Sequence, residues 1–244
     1  DVANSAWSSD GTRFYFTHCP APDSCTIHVA ERTGANWSIQ PLQGLGTGTS
    51  TQPCVVDWDG REMLLFVSDV PGGAGGTDIW QARLEGGRAV ELRPINGAVN
   101  TVGNERCPWY DVRRNELWFS SDHLPGLGGY DLFVARFEND VFSQPVNPGT
   151  PFNSPQNDLY PFIDPLTGEG WLSSDRGANK NVENDHCCSD LYHWTPPVIP
   201  QPDSANTASD TGTFAVQALL GLRDALPLSC LLYTSPSPRD RQKS

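Results

Sequence analysis

Trp118–Phe133 reads WFSSDHLPGLGGYDLF: an aromatic run ending in Ser120-Ser121-Asp122, a loop built on Pro125, Gly126, Gly128 and Gly129, and a second apolar run opening at Asp131. Leu64–Trp80, LLFVSDVPGGAGGTDIW, has the same construction, with Asp69 and Asp122, and likewise Asp78 and Asp131, 53 residues apart. WLSSD at Trp171–Asp175 repeats the first half at the same interval, and SDLYHW at Ser189–Trp194 repeats the second after a longer loop. A unit of this length cannot bury its own apolar face, so the recurrence predicts like units stacked on one another.

Four units superimpose. The second holds CVVDW (Cys54–Trp58), MLLFVS (Met63–Ser68), DIWQAR (Asp78–Arg83) and AVELRPI (Ala89–Ile95), and the third CPWYD (Cys107–Asp111), ELWFSS (Glu116–Ser121), DLFVARF (Asp131–Phe137) and VFSQPV (Val141–Val146). The first and fourth follow suit, the fourth with three runs, YPFID (Tyr160–Asp164), EGWLSS (Glu169–Ser174) and DLYHW (Asp190–Trp194). Short aromatic or β-branched runs bounded by Gly, Asn, Asp and Pro are strands, and four strands per unit make a propeller blade. Asp10-Gly11, Asp59-Gly60, Arg114-Asn115 and Thr167-Gly168 occupy one hairpin position, where positive φ is needed. The expected fold is all-β, a partial β-propeller of about four blades of four-stranded antiparallel sheets over residues 1–194. With a three-strand last unit, an open arc of a larger ring is expected, with an exposed apolar edge and poor solubility in isolation.

Composition narrows the function. Of 244 residues 37% are hydrophobic, enough for a core, and Gly 23, Pro 21 and a single Met fit strands and turns rather than helices. A formal charge of −13 repels a phosphate backbone and excludes nucleic acid as a partner. No apolar run is long enough to span a membrane as a helix. Seven cysteines without zinc-finger spacing point to an oxidising compartment. Asp1 opens directly in strand-like sequence, so an export signal is expected upstream.

The pattern aromatic-Phe-Ser-Ser-Asp, then Pro-Gly and paired glycines, then Asp-Leu/Ile-aromatic, followed by PVN…FNSPQNDLYPFID at Pro145–Asp164, resembles the WD40-like repeat of bacterial envelope proteins related to the TolB propeller. The resemblance covers about Asn4–Trp194. It implies an exported, periplasmic, outer-membrane-associated protein of the kind that ends in an OmpA-like peptidoglycan-binding domain, with an envelope protein or a glycan such as peptidoglycan as partner. Unit one departs from the repeat: Cys19 stands at the Asp of Ser-Ser-Asp, and the glycine-rich loop is missing.

After Trp194 the composition changes. Residues 195–213 form a Pro/Ser/Thr-rich linker, and Phe214–Ser229 has near-helical apolar spacing that reads as the start of a truncated domain. Cys230–Ser244 contains CLLYTSPSPRD, the conceptual translation of a transposase-type sequencing adapter, and is set aside as a scar.

The repeated acids Asp69, Asp78, Asp122, Asp131, Asp175 and Asp190 read chiefly as turn residues whose carboxylates hold the loops shut; Ca²⁺ is the alternative, since carboxylates suit a hard cation. Cys19 and Cys25 bracket the position of the missing glycine loop and are the favoured disulfide. Cys54 and Cys107, 53 residues apart, read as equivalent points of adjacent blades. A metal site from Asp185, His186, Cys187 and Cys188 is disfavoured, because adjacent cysteines seldom share a tetrahedron. His18, His28, His123, Glu183 and His193 complete the non-repeated groups, and none sits in a catalytic motif. Asp57, Asp111 and Asp164 are the acids a propeller glycosidase would need across its funnel, but their recurrence marks them as structural. The expected function is a non-catalytic binding or scaffold module, with no catalytic, cofactor-binding or metal residues; the alternative is a propeller hydrolase, a glycosidase or the propeller part of a peptidase.

Overall fold

In the computed structural model the described residues are 2–21, 24–164, 166–177 and 189–195. They form fifteen strands and no helix. Blade 1 is β1 (Val2–Trp7), β2 (Arg13–Ala21), β3 (Ser24–Thr33) and β4 (Asn36–Pro41); blade 2 is β5 (Ser50–Trp58), β6 (Arg61–Ser68), β7 (Asp78–Glu85) and β8 (Arg88–Pro94). Blade 3 is β9 (Glu105–Asp111), β10 (Glu116–Ser121), β11 (Asp131–Glu138) and β12 (Val141–Phe142), and blade 4 has β13 (Asp158–Ile163), β14 (Gly170–Ser174) and β15 (Asp190–Trp194). Every sheet is an antiparallel meander in chain order, the four-blade propeller arrangement that the repeat predicts.

The hairpins form for the expected reason. Gly11, Asp59, Gly60, Asn115 and Gly168 all have positive φ, between 53° and 76°, and an aspartate closes each turn. Asp57 accepts the Gly60 N–H at 2.7 Å, Asp111 that of Arg113 at 2.8 Å, and Asp164 that of Leu166 at 2.7 Å. The three acids weighed as funnel carboxylates are thus turn acceptors.

Alternation along the strands gives each sheet two apolar faces, and stacking buries them. Tyr15, Ile27 and Val29 of blade 1 pack on Leu64, Phe66, Trp80 and Ala82 of blade 2. Val56, Leu65 and Ile79 on the other face of blade 2 pack on Leu117, Phe119, Phe133 and Ala135 of blade 3. Leu64, Phe66, Leu117 and Phe119 are fully buried. The inner strand of each blade packs on the blade before it, β5 on β1–β3, β9 on β5–β7, β13 on β9–β11. The inter-blade loops are pinned by two asparagines at like positions: Asn100 exchanges hydrogen bonds with Ile79 N and O, both at 2.9 Å, and Asn153 with Leu132 N and O at 2.8 and 2.9 Å.

In blade 1 a Cys19–Cys25 disulfide closes the β2–β3 connection, where blades 2 and 3 use glycine-rich loops. The linker from 196, the stretch at 214–229, the adapter-like end at 230–244, and Glu183, Asp185, His186, Cys187 and Cys188 lie outside the described residues.

Candidate functional site

Two sets of residues recur at fixed places in the blades, and they differ in kind. The first is the aspartates. Asp69 accepts the Thr49 N–H and hydroxyl at 2.6 and 2.8 Å; Asp122 accepts the Asn104 N–H and side-chain amide, both at 2.7 Å; Asp175 accepts the same pair from Asn157 at 2.7 and 3.0 Å. For Asp122 burial works the other way, but the Asn104 bonds, with the Tyr130 hydroxyl and the Arg106 charge, together outweigh it and hold the carboxyl below its ordinary value. Asp78 Oδ2 accepts the Ala74 and Gly75 N–H groups, and Asp131 Oδ2 those of Leu127 and Gly128. The glycines are required by contact: a Cβ on Gly73 would lie 1.9 Å from Asp78 Oδ2, and one on Gly126 2.0 Å from Asp131 Oδ2. Asp190 opens β15 opposite Ser174. These carboxylates lock loops, and among the described residues no group of three or more His, Cys, Asp or Glu is placed to hold a metal ion.

The second set lies on the propeller axis. Each inner strand carries a bulge, and at each bulge a non-glycine residue adopts a left-handed backbone: Asn4 (φ 43°), Gln52 (55°), Cys107 (55°) and Tyr160 (53°). An L-residue there costs about 1–2 kcal/mol, and a bulge re-aims its side chain. In blades 2–4 a proline follows, Pro53, Pro108 and Pro161, tolerated because the inner strand is a sheet edge with no ladder bond to lose on the axial side. The bulges bring four unlike side chains together. Cys107 N–H donates to Gln52 Oε1 at 2.7 Å, Gln52 Nε2 donates to the Tyr160 hydroxyl at 3.4 Å, and Gln52 N–H donates to Thr17 Oγ1 at 3.0 Å. Asn4 also reaches the Tyr160 hydroxyl.

The inner strands line an open cavity of about 450 Å³, bordered by these four residues and by Trp7, Cys54, Trp109 and Phe162. That volume suits a small ligand. Trp109 and Phe162 meet edge to face at 5.7 Å. Among the described residues the lining contains no Asp, Glu, Lys, Arg or His. Tyr160 is 42% exposed as a residue, and burial, reinforced by the nearby Cys107, pushes its phenol up to about 12. Burial likewise pushes the Cys107 thiol up to about 12 and that of Cys54 to about 11, so neither is a thiolate at neutral pH.

The sequence reading missed this site. It matched Cys54 with Cys107; the structure matches Gln52 with Cys107, because the β5–β6 hairpin is two residues shorter than the β9–β10 hairpin and Cys54 pairs with Leu65 as Trp109 pairs with Trp118. The available signal was X-Pro at Gln52-Pro53, Cys107-Pro108 and Tyr160-Pro161, inside runs that otherwise read as strands. The histidines form no catalytic cluster: His18 and His28 meet edge to face on blade 1, His123 sits in a loop, and His193 stacks on Trp171 with Nε2 3.4 Å from Glu169.

No family model and no curated protein matches the chain. Among solved structures it is similar to TolB from Acinetobacter baumannii (12% identity, TM-score 0.48, covering 80% of this chain and 41% of that one). It is also similar to a thermostable family-43 glycoside hydrolase (12%, TM-score 0.52, 79% and 67%) and to an endo-arabinase from Bacteroides thetaiotaomicron (13%, TM-score 0.49, 78% and 72%). The chain thus spans about two fifths of the TolB chain's length. At such identities the likeness establishes the propeller fold and nothing finer. It does correct one expectation. The sequence alone reads as non-catalytic for want of a contiguous motif, but a family-43 glycoside hydrolase has this architecture, and a site built from several blades draws on residues far apart in sequence. The missing motif therefore excludes no catalysis.

Proposed function

We propose that this chain is a carbohydrate-binding propeller whose axial cavity takes a neutral sugar unit of a glycan. One observation carries the reading: the four blades spend backbone strain at the same bulge to place four different neutral polar side chains, Asn4, Gln52, Cys107 and Tyr160, in one cavity. Strain of this kind concentrates at functional positions. Amide and phenol groups match sugar hydroxyls as both donors and acceptors, while Trp7, Trp109 and Phe162 offer ring faces to the apolar face of a pyranose or furanose. The uncharged lining and the net charge of −13 favour neutral over anionic ligands. Isothermal titration with neutral, uronic-acid and amino-sugar trisaccharides tests this: neutral sugars should bind, and preference for the uronic acid would reverse the reading.

The second reading is hydrolysis of a glycosidic bond, favoured by the fold shared with the family-43 enzyme. It calls for two carboxylates flanking the bond, and release of reducing sugar from arabinan or xylan is its test. Either reading fits an exported, periplasmic protein tied to the outer membrane through an OmpA-like domain beyond the proline-rich linker. The Cys19–Cys25 disulfide supports the oxidising compartment; uninterrupted sequence of the locus tests the missing domain.

A further inference from the structure

We infer that Asp78 and Glu105, buried at the junction of blades 2 and 3, hold one proton between them in the folded chain, and that its loss as pH rises destabilises the junction. Three blades carry a like position there. The residue opposite the serine that ends the second strand is Ser50 in blade 2, Glu105 in blade 3 and Asp158 in blade 4, and all three are buried, at 2% exposure or less. Each acid also bonds to the preceding blade just beside a second buried aspartate. Glu105 N–H donates to Thr77 O, next to Asp78, and Asp158 N–H to Tyr130 O, next to Asp131, both at 2.7 Å. A carboxylate buried in this way needs a counter-charge or a proton.

Asp158 has the counter-charge. Arg176 donates to its Oδ1, to the Pro151 and Phe152 carbonyls and to Ser174 Oγ. Arg176 follows Asp175, the clamp on Asn157. In blade 3 the residue after the corresponding Asp122 is His123, which is exposed, and among the described residues no Arg, Lys or His makes an ion pair with Asp78 or Glu105. Asp131, Asp158 and Arg176 together leave one negative charge; Asp78 and Glu105 leave two, and a shared proton brings them to the same state. The bonding admits that proton. Glu105 Oε2 accepts the Thr101 N–H at 2.8 Å and Oε1 the Thr101 and Ser121 hydroxyls at 2.6 and 2.9 Å, and a hydroxyl can turn and accept instead. Asp78 commits Oδ2 to the Ala74 and Gly75 N–H groups, while its buried Oδ1 has no hydrogen-bond partner. Asp131 Oδ1 is alike in this, so the junctions differ by the guanidinium.

The other charged groups at the ends of the neighbouring strands are engaged elsewhere. Asp69 after β6 accepts from Thr49, Asp122 after β10 from Asn104, and Asp57 on β5 from Gly60, while Arg106 lies over the Tyr130 ring at 5.1 Å. Burial, with the Asp78 charge added, raises the Glu105 carboxyl above its ordinary 4.5 against the pull of the Thr101 and Ser121 bonds. A folded value above the unfolded one gives stability that is fully present below the unfolded value and lost as pH rises through the folded one.

Urea unfolding of the full chain, with released protons counted by titration in dilute buffer near pH 6.5, tests the inference. Wild type should release about one proton more than Glu105→Gln, and the ratio of the variant's folding constant to that of wild type should rise at least tenfold between about pH 5 and pH 8. Asp78→Asn keeps an oxygen for the loop N–H groups and should show the same rise, so the result does not hang on one variant folding. Asp158→Asn is the contrast: it strands Arg176 and should weaken folding throughout that range. Proton release equal in wild type and both junction variants, or a ratio that stays flat with pH, would overturn the inference, as would an Asp158→Asn that gains on wild type as Glu105→Gln does.

Discussion

The strand-connecting loops and the axis of this propeller use repetition in opposite ways. In the loops the same residue does the same thing in successive blades: Asp78 and Asp131 each accept two loop N–H groups, and Asp122 and Asp175 each clamp an asparagine. At the axis the same backbone distortion recurs, but the side chain changes from Asn4 to Gln52 to Cys107 to Tyr160. A repeated residue in a repeated place serves the blade. A changing residue in a repeated, strained place serves something the blade does not need. Stability should therefore rest on the loops and binding on the axis.

The largest stability effect belongs to the loops. Asp131→Ala leaves the Leu127 and Gly128 N–H groups without their acceptor and should cost about 3 kcal/mol in urea unfolding, with axial binding intact wherever the fold persists; a loss under 1 kcal/mol would break the comparison on its loop side. Reducing Cys19–Cys25 frees a seven-residue loop and should cost about 2 kcal/mol. Hydrogen exchange should place that loss in blade 1 rather than blade 3. At the axis the sign differs. Gln52→Gly relieves the left-handed strain while giving up the bond to Cys107 N, so its stability should lie within about 1 kcal/mol of wild type and above that of Gln52→Ala. Equal losses in the two variants would show that no strain is held there.

The smallest effect is acid sensitivity of the turns. Hydrogen bonds from Ser8 and Thr12 lower the Asp10 carboxyl from 3.8 to about 2, and the Leu166 N–H lowers that of Asp164. A folded value below the unfolded one gives stability that is present above the unfolded value and lost as pH falls through the folded one. The urea midpoint should fall between about pH 4 and pH 2, and Asp10→Asn should flatten part of that fall. An identical slope in the variant would remove Asp10 from the account.

The sequence carried the blades because their determinants are local and periodic: Ser-Ser-Asp ends a strand, glycines make room for Asp78 and Asp131, and Asp-Gly or Asn sets the hairpin. The axis escaped because its determinants are neither. Left-handed φ at Gln52, Cys107 and Tyr160 has no composition signal beyond the proline that follows, and a two-residue difference in hairpin length hid the alignment. Trp7, Trp109 and Phe162 come to line one cavity only once four strands, each about 50 residues from the next, are wound on one axis.

The most direct test is calorimetric titration of wild type, Gln52→Gly and Tyr160→Phe with xylotriose, maltotriose and chitotriose, alongside the unfolding free energy of each protein. At least one neutral trisaccharide should bind the wild type, and both variants should bind it at least tenfold more weakly while staying within about 1 kcal/mol of wild-type stability, the scale of one neutral hydrogen bond. A wild type that binds none of the three, or variants that bind as tightly as wild type, would contradict the claim that the strained axial residues form a sugar site.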